Sequence, residues 1–203
     1  MAESSVTITT ERGLEKLAEE KNIIIYQIFK TFADIFWCEY NYLIKNEKNE
    51  HLFNLVQNMS CCGIFSATRH FEMSDLYEND VMYVKIPWSF SYTTMELSTS
   101  RGEMLGHIRL QWDWCRLHIR LEDSSGHVLQ IKGPKLCSAN CGDIKYKILS
   151  GDGAMLIGTM KMVVCCPAIT VDDVMERFVI NVPVDLDVPM KALIIGAALL
   201  IVS

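Results

Sequence analysis

Asp185–Ser203 reads DLDVPMKALIIGAALLIVS, and Ala192–Val202 within it is eleven apolar residues with no charge. A helix of that length rises roughly 16 Å, against a hydrocarbon core of roughly 30 Å. Extending it back to Val188 adds one turn and brings in the charge of Lys191. Asp187 suits an N-cap, and Pro189 falls in the first turn, where its missing N–H costs little. A helix that is apolar all round belongs in lipid or inside protein. Gly196, Ala197 and Ala198 make this one slim, which suits tight enclosure. The expected fate is burial inside a barrel; the alternative is a short membrane anchor.

The middle of the chain predicts a sheet that could supply such an enclosure. Tyr42–Gln57 (YLIKNEKNEHLFNLVQ), His70–Pro87 (HFEMSDLYENDVMYVKIP), Cys115–Pro134 (CRLHIRLEDSSGHVLQIKGP) and Ile144–Lys161 (IKYKILSGDGAMLIGTMK) share one pattern. Each is an alternating apolar run, a polar or Gly-containing turn, and a second such run, which is the signature of a hairpin. Ile108, Leu110 and Trp112 alternate with His107, Arg109 and Gln111, while Leu117, Ile119 and Leu121 alternate with Arg116, His118 and Arg120. Period two holds from about Tyr40 to Val184. An antiparallel sheet closed into a barrel or sandwich is the economical architecture, because closure removes exposed edges. Before it, GLEKLAEEK predicts a short helix, and NIIIYQIF suits a buried strand or a continuation of that helix, with a helix leading into a strand the expected arrangement.

Composition agrees with one domain. The 203 residues are 50% hydrophobic and 22% charged, a globular balance. Residues 1–12 read as a short tail and residues 13–203 as the domain. The formal net charge of −6 disfavours nucleic acid, whose binding depends on Lys and Arg displacing counterions. Eight cysteines would suit a disulfide framework, but MAESSVTITTERGLEKLAEEK lacks a basic stretch followed by an apolar one, so a reducing compartment is expected. Cys61–Cys62 and Cys165–Cys166 are adjacent pairs and Cys137 and Cys141 are spaced C-x3-C; most are expected to be plain thiols, with lipidation or a metal site as alternatives. No nucleophile elbow, P-loop, G-x-G-x-x-G or HExxH occurs, which argues against a bond-making or bond-breaking enzyme.

Val182–Ser203 (VPVDLDVPMKALIIGAALLIVS), Ile131–Ile148 (IKGPKLCSANCGDIKYKI), Gly13–Phe29 (GLEKLAEEKNIIIYQIF) and Tyr42–Asn46 (YLIKN) together resemble the phospholipid scramblase family. The resemblance runs from about Gly13 to the C-terminus. It implies a tubby-like fold, a mainly β protein with a closed barrel of about twelve antiparallel strands around a central hydrophobic C-terminal helix, Val188–Val202. It implies calcium-dependent, ATP-independent, bidirectional movement of phospholipids between membrane leaflets. The expected partners are phospholipids and the membrane surface, with self-association open. The expected location is the cytoplasmic face of the plasma membrane, with a cytosolic pool. The alternative is a membrane-peripheral lipid- or protein-binding module with little or no scrambling of its own.

The resemblance also implies a calcium site in the segment VMERFVINVPVD, Val174–Asp185. Calcium takes six to eight oxygen ligands. Glu176 and Asp185 supply acidic oxygens, and Asp172 and Asp173 just upstream are the further candidates; the competing reading makes FVINV a strand leading into the helix. The family's usual palmitoylation cluster corresponds here to IPWSFSYTTMELS, Ile86–Ser98, which has no cysteine, and leaves Cys61 and Cys62 as candidates. The family's nuclear import segment is reduced to Lys161 in GTMKM. From the residues themselves, Arg109, Arg116 and Arg120, with His107 and His118, share an outward face. That face suits anionic headgroups, with Trp112 and Trp114 as interfacial contacts. An ordinary solvated strand face is the alternative.

Overall fold

The structure, a computed structural model, describes residues 13–28, 40–59, 69–87, 94–113, 116–135, 142–163 and 174–202. Twelve strands follow a 3-10 turn at Glu15–Leu17. They are β1 (Asn22–Ile28), β2 (Tyr40–Asn46), β3 (His51–Met59), β4 (Arg69–Ser74), β5 (Asp80–Ile86), β6 (Thr94–Thr99), β7 (Met104–Asp113), β8 (Arg116–Asp123), β9 (Val128–Lys135), β10 (Ile144–Ser150), β11 (Leu156–Met162) and β12 (Val174–Asn181). Each pairs antiparallel with its neighbours in sequence, and β1 pairs with β12 to close the barrel. The one α-helix among the described residues, α1, spans Val188–Val202.

Alternation along the strands decides what the barrel holds. In β1, Ile23 and Ile25 are buried while Ile24 and Tyr26 stand on the other face. In β6 the same rule buries Met95, Leu97 and Thr99. A barrel of about eight strands is filled by its own side chains, so twelve strands leave space that something else must occupy. α1 occupies it, packing along β6, β7 and β8 and against the 3-10 turn. The remaining interior is taken up by large side chains, including Phe53, Phe71, Phe178, Met73 and Met82. The rings of Tyr42 and Phe71 lie 6.5 Å apart there. Leu14 and Leu17 close the end at which α1 begins.

α1 is buried along nearly its whole length: Ala192, Leu193, Ile194, Ile195, Ala197 and Ala198 have no exposed surface, and Leu200 has 7%. Each buried Leu or Ile contributes about 1.5–3 kcal/mol by leaving water. Gly196 sits where the helix approaches the wall most closely. A Cβ there would stand 2.8 Å from Ile108 Cδ1 and 3.1 Å from Leu97 Cδ2, so only glycine fits without displacing those side chains. The helix is therefore the core of the barrel. No helix among the described residues is long and apolar enough to cross a membrane.

The charge of Lys191 has a role that sequence reasoning missed. Its side chain is fully buried, and Nζ donates hydrogen bonds to the carbonyls of Leu17 (2.9 Å), Ala18 (2.8 Å) and Val184 (2.9 Å). A bare buried ammonium costs several kcal/mol, and three charge-assisted hydrogen bonds of about 1.5–3 kcal/mol each offset it. The ammonium thus ties the first turn of α1 to the segment before β1 and to the loop after β12. At the same end, the Asp187 carbonyl accepts the Lys191 N–H at 3.0 Å, which opens the helix where an N-cap was expected.

Candidate functional site

The outer wall of β7–β11 is where the barrel concentrates positive charge. Arg109 on β7 stands directly opposite Arg120 on β8, and Arg116 is opposite Asp113 on one side and Lys135 on the other. Lys132 on β9 opposes Lys147 on β10, and Lys145 on β10 opposes Lys161 on β11. Directly opposed side chains lie about 5 Å apart at Cβ, and like charges so placed repel. Four cation pairs on adjoining strands thus sit on one face of a protein whose net charge is −6. Carboxylates relieve them in part, with Glu122 at 3.6 Å from Arg120 and Asp143 at 3.2 Å from Lys161.

The three arginines expected on one outward face are brought together there. His118 joins them, opposing Lys132 and hydrogen-bonded to Gln130 at 3.1 Å; His107 lies across from Glu96 and Glu122. Lys132, Lys135, Lys145, Lys147 and Lys161 were not singled out as headgroup contacts. Part of their signal was present as lysine at every second residue in IKYK, Ile144–Lys147, but only the strand order β9–β10–β11 makes neighbours of them. The Trp112 side chain and the whole of Trp114 lie outside the described residues. So do Cys61 and Cys62.

The opposite chemistry gathers in the hairpin turns at the end where α1 begins. Asp75 lies in the turn between β4 and β5, accepting from the backbone N–H groups of Tyr77 and Asn79 and from the Asn79 amide; the Asn79 side chain, first, holds its carboxyl below the usual aspartate range. Asp123, 7% exposed, accepts the N–H groups of Ser125 and His127 and the Ser125 hydroxyl. His127 Nδ1 lies 3.3 Å from Asp123 and 3.9 Å from Asp187, so this turn meets the start of α1. These carboxylates shape turns.

Of the proposed calcium ligands, Asp185 alone has its side chain among the described residues. Eight of the twelve residues in Val174–Asp185 form β12, as the strand reading of FVINV expected. Glu176 lies within that strand, five residues before its end at Asn181. Asp185 is exposed in the loop before α1. Asp172, Asp173 and the Glu176 side chain lie outside the described residues. Among the described residues no three His, Cys, Asp or Glu side chains are grouped to hold a metal ion.

Fold and surface together define a class: a closed antiparallel barrel that keeps an apolar helix as its core and carries a cationic outer wall. The Scramblase family model matches residues 1–202, and the chain belongs to that family. It is 26% identical over 203 residues to phospholipid scramblase 1 of Mus musculus, covering 93% of this chain and 62% of the relative. It is 27% identical over 206 residues to phospholipid scramblase 1 of Homo sapiens, covering 93% and 64%. Phospholipid scramblase family member 5 of Homo sapiens is 26% identical over 208 residues, covering 96% and 77%. The chain thus spans about three fifths of the length of the scramblase 1 relatives. No solved structure matches it.

Proposed function

We propose that this protein is a phospholipid scramblase that works from the membrane surface, moving phospholipids between leaflets in both directions without ATP and in response to calcium. Its membership of the Scramblase family supports the reaction class. The observation that carries the membrane reading is the cationic wall: four opposed cation pairs on an acidic protein favour an anionic surface as the partner. Each Lys or Arg near such a surface contributes about 1 kcal/mol. The cytoplasmic face of the plasma membrane is the location this predicts, with Cys61 and Cys62 as acylation candidates. A single acyl chain adds only marginal anchoring, so the cationic wall must share the work.

Lipid movement by a chain whose apolar helix is its own core calls for a local bilayer defect or self-association, because polar headgroups need a hydrated path across hydrocarbon. The burial of α1 also favours a second reading, a membrane-peripheral module that binds lipids without moving them.

Reconstitution into liposomes carrying a fluorescent phospholipid separates the two. With a scramblase, dithionite quenches inner-leaflet probe as well as outer, calcium raises the rate and ATP does not. Quenching confined to the outer leaflet under every condition leaves the peripheral module. Calcium-independent movement removes the calcium response alone.

A further inference from the structure

Around the barrel from Arg109, Arg116 and Arg120, the outward positions of β9, β10 and β11 form a second surface with its own chemistry. Lys132 and Lys147 oppose each other there, as do Lys145 and Lys161. Asp143 meets Lys161, but among the described residues no ion pair within 4.0 Å joins Lys132, Lys145 or Lys147 to a carboxylate. The β10–β11 turn makes room for one of these cations. Gly153, at φ +75°, leaves open the place where a Cβ would stand 3.2 Å from Lys132 Nζ. Gln130 holds the turn by donating to the Gly151 carbonyl at 2.6 Å.

Next to the lysines the same face is apolar. Leu149 opposes Leu156, and Met155 follows from the turn; Met155 is 64% exposed and Leu156 56%. Asp152 in that turn accepts from the Ala154 N–H at 3.0 Å and from the Ser150 hydroxyl, both on Oδ1, so that oxygen is held by the turn. A soluble polyanion would satisfy the lysines and leave Met155 and Leu156 in water. An anionic bilayer satisfies both, with headgroups for the cations and the acyl boundary for the apolar tip.

We propose that the outer face of β9–β11 seats this protein on anionic phospholipid membranes. In that arrangement Lys132, Lys145, Lys147 and Lys161 contact the headgroups, and Met155 and Leu156 insert at the acyl boundary. The inference rests on the membrane-surface reading above and names the surface that makes the contact.

The test is flotation of the full chain with vesicles of phosphatidylcholine alone or mixed with phosphatidylserine. Wild type floats with the mixed vesicles. The Lys132→Gln, Lys145→Gln, Lys147→Gln, Lys161→Gln variant loses roughly fivefold in partitioning per lysine. Met155→Ser with Leu156→Ser removes the binding that survives high salt. A charge-matched control, Lys16→Gln, Lys21→Gln, Lys48→Gln, Arg101→Gln, floats as wild type does. Thermal melts check folding, and Lys145→Glu with Lys147→Glu, both on exposed positions, repeats the test should the quadruple variant fail to fold. Equal losses in the two quadruple variants, or wild-type flotation by both lysine variants of the β9–β11 face, overturn this surface and leave the membrane reading standing. A wild-type protein that never floats overturns the membrane reading itself.

Discussion

Lys191 is the residue on which the placement of α1 turns. Within Asp185–Ser203 it reads as an obstacle to extending an apolar segment, yet in the fold it ends on three carbonyls and never meets water. Lys191→Met should destabilise the protein by about 2–4 kcal/mol, because the lost donor leaves carbonyls of Leu17, Ala18 and Val184 without it. Urea unfolding measures this. Burial also lowers the Lys191 pKa below 10.5, with Glu20 and Asp185 pulling the other way. Between the lowered folded value and 10.5, the unfolded chain binds the proton that the folded chain has released, so this group's contribution rises with pH. The buried Tyr146 phenol, held above 10.0 by desolvation, acts in the opposite sense once pH passes 10. The informative quantity is therefore a difference: approaching pH 10.5, stability should change less favourably with pH in Lys191→Met than in wild type. Identical slopes would show that Lys191 keeps its proton as readily in the fold as in water.

At the scale of the element, α1 is too short for an easy membrane span and too apolar for water. As it is apolar on every side, the helix has no face that a periodic pattern could assign to the interior. Strands differ in this respect, since alternation assigns each residue a side, and β1 through β12 accordingly follow the hairpin pattern of the sequence. The two elements need each other. Leu97, Ile108, Ile119 and Leu121 are buried on the wall along which α1 packs, and Gly196 lets the two surfaces close. Truncation after Asp187 should accordingly abolish the folded domain, seen as loss of a cooperative melt and gain of dye binding to exposed apolar surface. A truncated chain that is monomeric and melts cooperatively would mean that the strands hold without their core, and would return α1 to the role of an anchor.

Across the whole molecule, charge is distributed unevenly. An acidic protein carries its opposed cation pairs on β7–β11, while Asp75, Asp123, Asp152 and Asp187 stand in turns and at the helix start. Net charge alone argues against polyanion binding; the arrangement argues for it on one side only. Binding to phosphatidylserine vesicles should therefore weaken steeply as the Debye length falls from about 10 Å at 0.1 M salt to about 3 Å at 1 M. Co-sedimentation across that range measures it, and the remnant at high salt reports the apolar contact of Met155 and Leu156. Affinity that ignores salt would remove the electrostatic account.

By itself the sequence determined what local rules encode: the period-two strands, the positions of the polar turns, the arginines sharing an outward face, and a C-terminal helix starting beside Asp187. Those properties depend on residues close together along the chain. Burial of the C-terminal helix inside a barrel of about twelve strands is already the expectation from its length and from the family resemblance; tertiary structure alone decided that α1 packs along β6, β7 and β8, that Lys191 reaches Leu17 and Ala18 more than 170 positions away, and that lysines from three strands become neighbours. Long-range closure and register set those contacts, because a side chain's distant partners depend on which strands meet, and no local periodicity specifies that.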